Sequence, residues 1–581
     1  MRILLTAINA KYIHSNLAVY SLKAASGEYA KVVDIAEFTI NNQADYILEQ
    51  IYKKKPDVLC FSCYIWNITI IEEVIREYHK LCPQVPIWVG GPEVSFEVET
   101  FLKKHPQVTG VMMGEGEDTF RQLCKYYATE QKIDLRNILG IAYRKGSENG
   151  EEIHINEWRE IMSMSEIPFC YDGLEDFSNR IIYYESSRGC PFSCSYCLSS
   201  VDKKLRFRDI ELVKEELQFF IDQKVPQIKF VDRTFNCKHD HAMEIWRYIT
   251  EHDNGVTNFH FEVSADLINE EELELMSQMR PGLIQLEIGV QSTNDVTIQE
   301  IHRTMKLERL KEIVRKIKSF GNIHQHLDLI AGLPYEDYDT FRKSFNDIYE
   351  LQPNQLQMGF LKVLKGSYMY EHAAEYGIIY HDNPPYEVMA TNWLSYGDIL
   401  KMKRIEEMLE VYYNSGQFEA VMKVLKHQFD SAFDMFQRLG DYYEKNGYFG
   451  MSHSRIKRCE ILMDFVKEEW RGCSNAEAVC ECIRQALVFD LYYRENSKSR
   501  PVWAGDSGAF KAVTHFYCKN GKLSHVEPFN YDFLGDLSQF PEYQNEVFWV
   551  LYSYDRRDPL NHQAHVEYVH PENDMLDIKK G

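Results

Sequence analysis

The most informative segment of the chain is Arg188-Gly-Cys190-Pro-Phe-Ser-Cys194-Ser-Tyr-Cys197. It follows a predicted strand, Ile181–Glu185, and its three thiolates, spaced four and three residues apart, can all point into one loop. Soft thiolate ligands select zinc or iron–sulfur clusters. A cluster held only by protein takes four cysteines, and this loop supplies three. The deficit indicates an iron left open to a substrate, as catalytic metal sites leave one position open.

Two other interpretations of this segment stay open. One is a zinc site completed by a histidine such as His239 or His241. The other is three unrelated thiols.

Alternating strand and helix patterns surround the cysteine loop between residues 179 and 365. Apolar runs that predict strands alternate with amphipathic stretches such as Leu307–Phe320. The predicted strands are Ile181–Glu185, Gln227–Val231, Phe259–Val263, Leu283–Val290, His326–Ile330 and Leu356–Val363. Six β-α steps predict a partial (β/α)6 barrel, smaller than the eight-fold version.

Residues 1–145 show the same alternation and predict a doubly wound, Rossmann-like α/β domain with a parallel sheet. The predicted strands are Ile3–Ile8, Val32–Phe38, Val58–Ile65, Ile87–Gly91 and Gly110–Gly114. In such sheets, ligands bind beyond the carboxyl ends of the strands. Residues 137–158 are typical of a hairpin with a Gly/Asn turn, and residues 146–178 are expected to link this domain to the barrel.

The pattern changes at about residue 366, and residues 366–581 are expected to form a mainly helical accessory domain. The predicted helices are Met402–Tyr413, Glu419–Leu439, Asp464–Trp470 and Glu477–Tyr493, whereas Thr514–Tyr554 is partly typical of strand. No catalytic motif stands out here. The dense aromatic residues could cap the barrel, receive a substrate or simply form a core.

The cysteine loop resembles the signature of the radical S-adenosylmethionine superfamily, CxxxCxxC with an aromatic residue, here Tyr196, before the last cysteine. Further similar elements are Val231-Asp-Arg-Thr-Phe-Asn236, Glu287-Ile-Gly-Val-Gln-Ser292, Ile301-His-Arg303 and Ile330-Ala-Gly-Leu-Pro334. The resemblance implies that Cys190, Cys194 and Cys197 bind three irons of a [4Fe–4S] cluster, and that S-adenosylmethionine chelates the fourth.

The same resemblance implies where S-adenosylmethionine is bound. Glu287 would hold the ribose hydroxyls, which suits a carboxylate acceptor, and Gly332 and Pro334 would shape the wall near the adenine. Tyr196, Ser264 and Leu361 are expected at the same site. One electron from the cluster would cleave the sulfonium, and the resulting 5′-deoxyadenosyl radical would abstract a hydrogen from an unactivated carbon. The protein would position the reacting atoms while the cofactors supply the chemistry.

A doubly wound domain ahead of a radical barrel resembles the cobalamin-binding class of this superfamily. The similar elements are Pro56-Asp-Val-Leu-Cys-Phe-Ser62, Val89-Gly-Gly-Pro92 and Val111-Met-Met-Gly-Glu-Gly-Glu117. Glycine has no Cβ and would let the backbone approach the nucleotide tail of the cofactor, although each glycine could instead form a simple turn. The residues implied to bind cobalamin are Asn9, Ser62, Ile65, Trp66, Gly90, Gly91, Pro92, Gly114, Glu115 and Gly116.

The cobalt is expected to lack a histidine ligand. Many cobalamin proteins carry Asp-x-His-x-x-Gly, whose histidine ligates cobalt, but here Tyr12 and Leu17 occupy the aspartate and glycine positions around His14. Ile65 or Trp66 is expected to face the cobalt instead. By the same resemblance, a missing ligand favours methyl transfer to a carbon radical.

Composition narrows the function classes. The chain has 581 residues and a formal net charge of -23, which disfavours general nucleic-acid binding because phosphates would be repelled. The N-terminus lacks the features of a signal peptide, and no apolar run is long enough to predict a membrane span. The 14 cysteines of a chain of this size are expected to be free thiols or metal ligands and not a disulfide framework. We therefore expect a cytoplasmic location.

These features together predict a cobalamin-dependent radical enzyme, working anaerobically, that methylates an unactivated carbon. One S-adenosylmethionine would supply the radical and another would remethylate the cobalamin. A radical cyclase or rearrangement enzyme with the same cofactors is one alternative, and a non-catalytic cobalamin or redox sensor is another. The expected partners are an electron donor such as flavodoxin or ferredoxin and a small-molecule or peptide substrate.

Overall fold

The computed structural model describes residues 1–129, 134–147, 150–177, 179–506, 508–517 and 523–571. They form an N-terminal α/β unit, a partial barrel and a C-terminal region of helices with a small sheet. No helix within these ranges is long and apolar enough to cross a membrane.

The N-terminal unit is a seven-stranded sheet with strand order β2-β1-β3-β4-β5-β6-β7, in which β1 to β5 are parallel. The strands are β1 (Ile3–Asn9), β2 (Val33–Thr39), β3 (Val58–Ser62), β4 (Ile87–Gly90), β5 (Gly110–Met112), β6 (Ile141–Ser147) and β7 (Gly150–Ile155). The helices are α1 (Leu17–Ala25), α2 (Ala44–Lys54), α3 (Ile68–Leu81), α4 (Val98–Lys104) and α5 (Glu117–Ala128). Every residue of β1 and β3 is buried because helices cover both faces of a parallel sheet. The predicted doubly wound domain is confirmed.

The expected linker needs a correction at its start. Strands β6 and β7 form the predicted hairpin, whose turn at residues 148–149 lies outside the described residues. The hairpin is not separate from the N-terminal sheet, because β6 pairs antiparallel with β5. The sheet therefore extends to Ile155, and the boundary expected after residue 145 falls inside β6.

The second unit is a six-stranded, all-parallel sheet with the order β15-β14-β13-β12-β11-β8. Its strands, with the short pair β9-β10, are β8 (Ile182–Tyr184), β9 (Ser187–Arg188), β10 (Arg206–Phe207), β11 (Gln227–Phe230), β12 (Asn258–Val263), β13 (Ile284–Gln291), β14 (His324–Ala331) and β15 (Gln355–Phe360). Its helices are α6 (Ile210–Asp222), α7 (His239–Glu251), α8 (Glu270–Gln278), α9 (Asp295–Glu300), α10 (Leu307–Phe320) and α11 (Tyr338–Tyr349). The predicted partial (β/α)6 barrel is confirmed.

Alternation along the barrel strands separates the core from the interior of the barrel. On β13, Leu286, Ile288 and Val290 are fully buried, whereas Glu287 and Gly289 between them are only half-buried. Because neighbouring side chains on a strand point to opposite faces, the polar set shares one face. That face lines the barrel interior.

The C-terminal region is mainly helical, as predicted. Its elements are α12 (Tyr368–Glu371), β16 (Ile379–Tyr380), β17 (Val388–Ala390), α13 (Tyr396–Leu409) with a short π-helix at Glu410–Asn414, α14 (Glu419–Lys426), α15 (Ala432–Lys445), α16 (Arg455–Glu469), α17 (Ala476–Arg494), α18 (Lys511–Tyr517), β18 (Ser524–Phe529), β19 (Phe548–Arg557) and β20 (Ala564–Val569). The single helix predicted over Glu419–Leu439 is two helices. The break occurs because Ser431 caps α15, its side chain accepting a hydrogen bond from the Asp434 amide.

The C-terminal region covers the open edge of the barrel. The Asn414 side chain accepts a hydrogen bond from the Leu356 amide at 3.0 Å and donates one to the Leu356 carbonyl at 2.8 Å. Strand β15, which carries Leu356, is an edge strand, and an uncovered edge would expose unpaired backbone groups. The helices thus close the side on which the barrel lacks further strands.

The N-terminal unit docks on the barrel through loops at its strand ends. The Ile181 amide donates to the Ile13 carbonyl at 2.7 Å, joining the loop after β1 to the start of β8. On another side, Lys365 lies 3.2 Å from Glu93. The carboxyl ends of the N-terminal strands consequently face the barrel.

Candidate functional site

The cysteine loop begins directly after β9 and lies over the end of the barrel. Cys190, Cys194 and Cys197 line one cavity of about 190 Å³, and the first two are buried. Gly189 has φ +87°, and a Cβ there would lie 2.6 Å from the Lys204 carbonyl oxygen. Only glycine lets the chain enter the loop at this point.

Hydrogen bonds from distant elements anchor the loop. The Ser195 amide donates to the Ile301 carbonyl at 2.9 Å, and the Met369 amide donates to the Ser195 carbonyl at 2.8 Å. At the start of the loop, the buried carboxylate of Asp232 accepts hydrogen bonds from the Ser186 and Ser187 hydroxyls, both at 2.6 Å. Burial raises the pKa of Asp232, although these serine donors oppose the rise. The cysteines therefore sit on a rigidly held loop.

The geometry fits an iron–sulfur cluster better than zinc. Among the described residues, one group of three His, Cys, Asp or Glu side chains has its ligand atoms all within 4.8 Å of one another. This group is Glu287, His326 and Asp328, and it does not include the cysteines. At least one pair of the triplet sulfurs is therefore more than 4.8 Å apart. Around tetrahedral zinc, Zn–S bonds of about 2.3 Å would place the sulfurs about 3.8 Å apart.

The two histidines considered for a zinc site are engaged elsewhere. His239 Nδ1 lies 2.9 Å from Glu272 Oε1, and His241 Nε2 lies 3.1 Å from the Ser186 hydroxyl. Neither histidine lines the cavity of the cysteines. The lining of this cavity therefore offers three thiols and the carboxylates of Glu262, Glu287 and Asp328 but no imidazole. Three thiols suit a cluster with one open iron.

Three of the six residues expected to contact S-adenosylmethionine line the same cavity. Tyr196, Ser264 and Glu287 are in its wall. The Ser264 amide donates to the Asn236 side chain at 2.9 Å, and the Asn236 side-chain nitrogen donates to the Ser264 carbonyl at 2.9 Å. This exchange fixes the ends of β11 and β12 to each other beside the cysteines.

The other three expected residues do not line this cavity. Gly332, Pro334 and Leu361 are all buried. A Cβ on Gly332 would lie 2.7 Å from Val388 Cγ1, because β17 packs over the end of β14. The role expected of these three residues near the adenine stays a prediction.

The Glu287 carboxylate is held ionised inside the barrel. Lys229 Nζ donates to Glu287 Oε2 at 2.8 Å, and His260 Nε2 lies 2.9 Å from the same oxygen. Burial alone would raise the pKa of Glu287, but these two neighbours hold it well below its usual range. An ionised carboxylate is only an acceptor, as the binding of ribose hydroxyls requires.

A second cavity, of about 820 Å³, lies between the N-terminal strand ends and the barrel. Nine of the ten residues expected to bind cobalamin line it: Asn9, Ser62, Trp66, Gly90, Gly91, Pro92, Gly114, Glu115 and Gly116. Its volume is within the range of about 300–1,000 Å³ common for ligand sites. Gly91 has φ +115°, and a Cβ there would lie 2.4 Å from the Cys63 carbonyl oxygen. This close backbone approach fits a cradle that only glycine permits.

Of the two residues expected to face cobalt, only Trp66 lines the large cavity. Ile65 is not among the lining residues. Trp66 stacks on Tyr64 with ring centroids 4.4 Å apart, and its indole nitrogen donates to the Ile8 carbonyl at 3.2 Å. The pair forms a flat aromatic wall of the kind that packs against a planar ring.

His14 also lines the large cavity. Its Nδ1 lies 2.7 Å from the hydroxyl of Tyr183 on β8. Burial and the nearby Lys11 lower the pKa of His14, which keeps its ring neutral at pH 7. The expectation of a cobalt without a histidine ligand stays a prediction.

An ion-pair network joins the large cavity to the cysteine loop. The guanidinium of Arg188, two residues before Cys190, lies 2.6 Å from Glu117 and 2.8 Å from Glu185. Arg206 lies 2.7 Å from Glu115. The glutamates after β5 thus pair with the chain that carries the cysteines.

Sequence patterns gave no role to several residues in these walls. Arg303 of the Ile301-His-Arg303 element contacts Cys194, and Trp158, from the range expected to be a linker, lines the large cavity. No local pattern predicts either contact. A CxxxCxxC loop predicts thiolate chemistry but not which distant side chain packs against it.

Three family models match the chain. The one described as B12 binding domain matches residues 3–124, and the one described as Radical SAM superfamily matches residues 184–348. A third, described as Protein of unknown function (DUF4080), matches residues 374–546.

Two curated proteins are similar to a little over half of the chain. A 2-(S-pantetheinyl)-carbapenam-3-carboxylate methyltransferase of Streptantibioticus cattleyicolor is 27% identical over 312 residues, which are 51% of this chain and 45% of that protein. An anaerobic magnesium-protoporphyrin IX monomethyl ester cyclase of Rubrivivax gelatinosus is 22% identical over 339 residues, 57% of this chain and 60% of that protein. The chain thus spans about half the length of the curated relatives it matches.

Among the solved structures that share the fold is an apo enzyme structure. It is the apo structure of OxsB, a cobalamin-dependent S-adenosylmethionine radical enzyme, with 17% sequence identity to this chain and a TM-score of 0.56. The match covers 84% of this chain and 80% of that one. At this level of identity the likeness concerns the fold.

Proposed function

We propose that this chain, which belongs to the radical S-adenosylmethionine superfamily and carries a B12-binding domain, is a methyltransferase that acts on an unactivated carbon. Its cofactors are a [4Fe–4S] cluster, S-adenosylmethionine and cobalamin. The observation that carries the proposal is the meeting of the two cavities, since Ser199 and Arg233 line both of them. A substrate at this junction would lie between the two cofactor sites.

The chemistry itself comes from the bound groups: the cluster supplies an electron for cleavage of S-adenosylmethionine, and cobalamin supplies a methyl group. The chain's part is to bind and orient. Cys190, Cys194 and Cys197 would ligate three irons, and Glu287, held ionised by Lys229, would accept hydrogen bonds from the ribose. Placement at the junction would convert a bimolecular encounter into a step between fixed partners.

On the cobalamin side, the chain would provide a shaped and largely apolar wall. Gly90 and Gly91 would admit the cofactor close to the backbone, and the stacked Tyr64 and Trp66 would cover one face of its ring. The cobalt is proposed to lack a histidine ligand because the histidine motif around His14 is incomplete.

The electron donor is proposed to be flavodoxin or ferredoxin. Lys203 and Lys204 are exposed beside the cysteine loop, where they would attract an acidic carrier. The substrate is proposed to be a small molecule or a peptide. The net charge of -23 argues against nucleic acid, and a cytoplasmic location is part of the same proposal because free thiols persist there.

A second candidate function is ring formation with the same cofactors and no methyl transfer. The similarity to the Rubrivivax gelatinosus cyclase favours it. The two candidates differ in their products, because only methyl transfer converts S-adenosylmethionine to S-adenosylhomocysteine.

The test uses the full chain reconstituted anaerobically with iron, sulfide and cobalamin, then given S-adenosylmethionine and titanium(III) citrate. Methyl transfer predicts 5′-deoxyadenosine together with S-adenosylhomocysteine, the second only when cobalamin is present. Cys197→Ser should lose iron and both products, whereas Cys473→Ser, at an exposed cysteine away from the cavity, should keep them. Formation of 5′-deoxyadenosine without S-adenosylhomocysteine in every condition would contradict methyl transfer and support ring formation.

A further inference from the structure

The side chain of Arg303 bridges the cysteine loop and the barrel. Its Nη1 lies 3.7 Å from Cys194 Sγ and 3.3 Å from the Tyr196 hydroxyl, and its Nη2 donates to the Gly289 carbonyl. The guanidinium therefore points at one of the three cluster-binding sulfurs, and Arg303 lines the same cavity as all three cysteines.

The fold holds Arg303 in this position by irregular backbone on both sides. Strand β13 has a bulge between Gly289 and Gln291, and Gln291 has φ +74°. The residue before Arg303, His302, has φ +54°. Such conformations are costly for residues other than glycine and are retained where the surrounding structure imposes them. The bulge turns the Gly289 carbonyl toward the guanidinium, as bulges beside functional sites re-aim groups.

We propose that Arg303 is a positioning residue that raises the reduction potential of the cluster by placing its positive charge and an N–H donor at the sulfur of Cys194. One electron from an external donor converts the oxidised cluster to the reduced one and adds a negative charge spread over irons, sulfides and thiolates. Hydrogen bonds to the sulfurs and nearby charge favour the more negative form, and they are recognised determinants of cluster potential.

Burial strengthens this effect. Cys194 is only 7% exposed, so that little water screens the charge of Arg303 from its sulfur. The arginine also has no carboxylate partner among the described residues; its contacts are a thiol, a phenol and a carbonyl. Its full positive charge is thus available to the cluster, and the Tyr196 and Cys194 side chains raise the pKa of Arg303 against the effect of burial.

The inference rests on the cluster site of the proposed function, but its test does not depend on methyl transfer. Wild type, Arg303→Gln and Arg303→Lys are reconstituted with iron and sulfide, and the midpoint potential is measured by redox titration followed by electron paramagnetic resonance, without S-adenosylmethionine. Arg303→Gln should lower the equilibrium constant for reduction at least tenfold, which is 59 mV for a one-electron couple. Arg303→Lys keeps the charge without the planar fork and should shift the potential less.

Two matched variants separate this role from general effects. Arg309→Gln removes a guanidinium that pairs with Glu270 and Glu312 outside the cavity, and its potential should equal that of wild type. Tyr196→Phe removes the neighbouring hydroxyl but leaves the contact between Arg303 and Cys194. Its midpoint potential should therefore stay close to that of wild type.

Unchanged potentials in Arg303→Gln and Arg303→Lys, with wild-type iron content, would overturn the proposal while leaving methyl transfer untouched. If Arg303→Gln does not retain a cluster, the test depends on Arg303→Lys, whose midpoint potential should still differ from that of wild type. Loss of the cluster in both would also overturn it, because the residue would then serve assembly of the loop. If the wild-type protein holds the cluster but transfers no methyl group, the proposed function is wrong. The proposed effect of Arg303 on the cluster potential would not be affected by that result.

Discussion

Replacing Gly91 by alanine is expected to damage the large cavity far more than the same change at the neighbouring Gly90. Gly91 has φ +115°, and an added Cβ would lie 2.4 Å from the carbonyl oxygen and 3.1 Å from the amide nitrogen of Cys63. Both are backbone atoms, and the Cys63 amide is itself tied to the Gly90 carbonyl at 2.7 Å. The clash therefore cannot be relieved by a side-chain rotation.

The cost follows from these two effects. A residue other than glycine in such a backbone conformation costs about 1–3 kcal/mol. Forcing a methyl group into packed surroundings costs about 1–3 kcal/mol more. Gly91→Ala should thus destabilise the N-terminal unit by about 2–6 kcal/mol. At Gly90 the φ is ordinary and the nearest atom to an added Cβ, on Met112, is at 3.4 Å, a normal contact. Gly90→Ala should cost less than about 1 kcal/mol.

Hydrogen exchange of peptides that cover β3 and β4 is the suitable assay, because it reports local opening in a chain with several units. Gly91→Ala should exchange faster in both strands and bind cobalamin at least tenfold more weakly in equilibrium dialysis. Gly90→Ala should exchange within a few-fold of the wild-type rate in both strands, because its added Cβ makes only normal contacts. Equal exchange and equal binding in the two variants would refute the argument that backbone approach at Gly91 shapes the cavity.

Two further predictions concern buried charge. Arg188→Gln leaves the buried carboxylate of Glu117 without its partner at 2.6 Å and should destabilise the fold by about 3–5 kcal/mol in chemical denaturation, so a loss under about 1 kcal/mol would contradict the burial of this pair. Burial, helped by Lys238, lowers the pKa of His241 from 6.5 to about 4, while its Nε2 contacts the Ser186 hydroxyl. Below pH 6.5 the unfolded state binds a proton at His241 that the folded state does not bind. The contribution of His241 to the free energy of unfolding is therefore fully present above pH 6.5, and it falls by up to about 3 kcal/mol as the pH drops toward 4. His241→Gln should flatten this slope in denaturation measured at several pH values, and parallel curves for the two proteins would show the prediction wrong.

Much of the architecture was accessible from local pattern. Strands such as β3 and β13 are apolar runs of the right length between polar turns, and their existence depends on little beyond their own residues. The cysteine loop is equally local, because three thiolates within eight residues share one short segment whatever surrounds it. For the same reason the glycines at the ends of β4 and β5 could be assigned to one cavity: parallel strands end at the same edge.

Other features depend on pairing between distant segments. The hairpin of β6 and β7 was expected to lead into a linker, but β6 pairs with β5 through backbone hydrogen bonds that no local pattern encodes. The break between α14 and α15 depends on Ser431, which competes for backbone hydrogen bonds where the apolar spacing alone would continue one helix.

The amino-acid sequence by itself therefore specifies the three units, the thiolate loop and the strand ends that line the two cavities. Packing alone settles which strand-end residues reach those cavities. Val388 packs against Gly332, and Arg303 contacts Cys194, which lies 109 positions away in the sequence. The physical reason is range: hydrophobic period and turn chemistry act over a few residues, whereas side-chain contacts of this kind exist only after separate elements have docked.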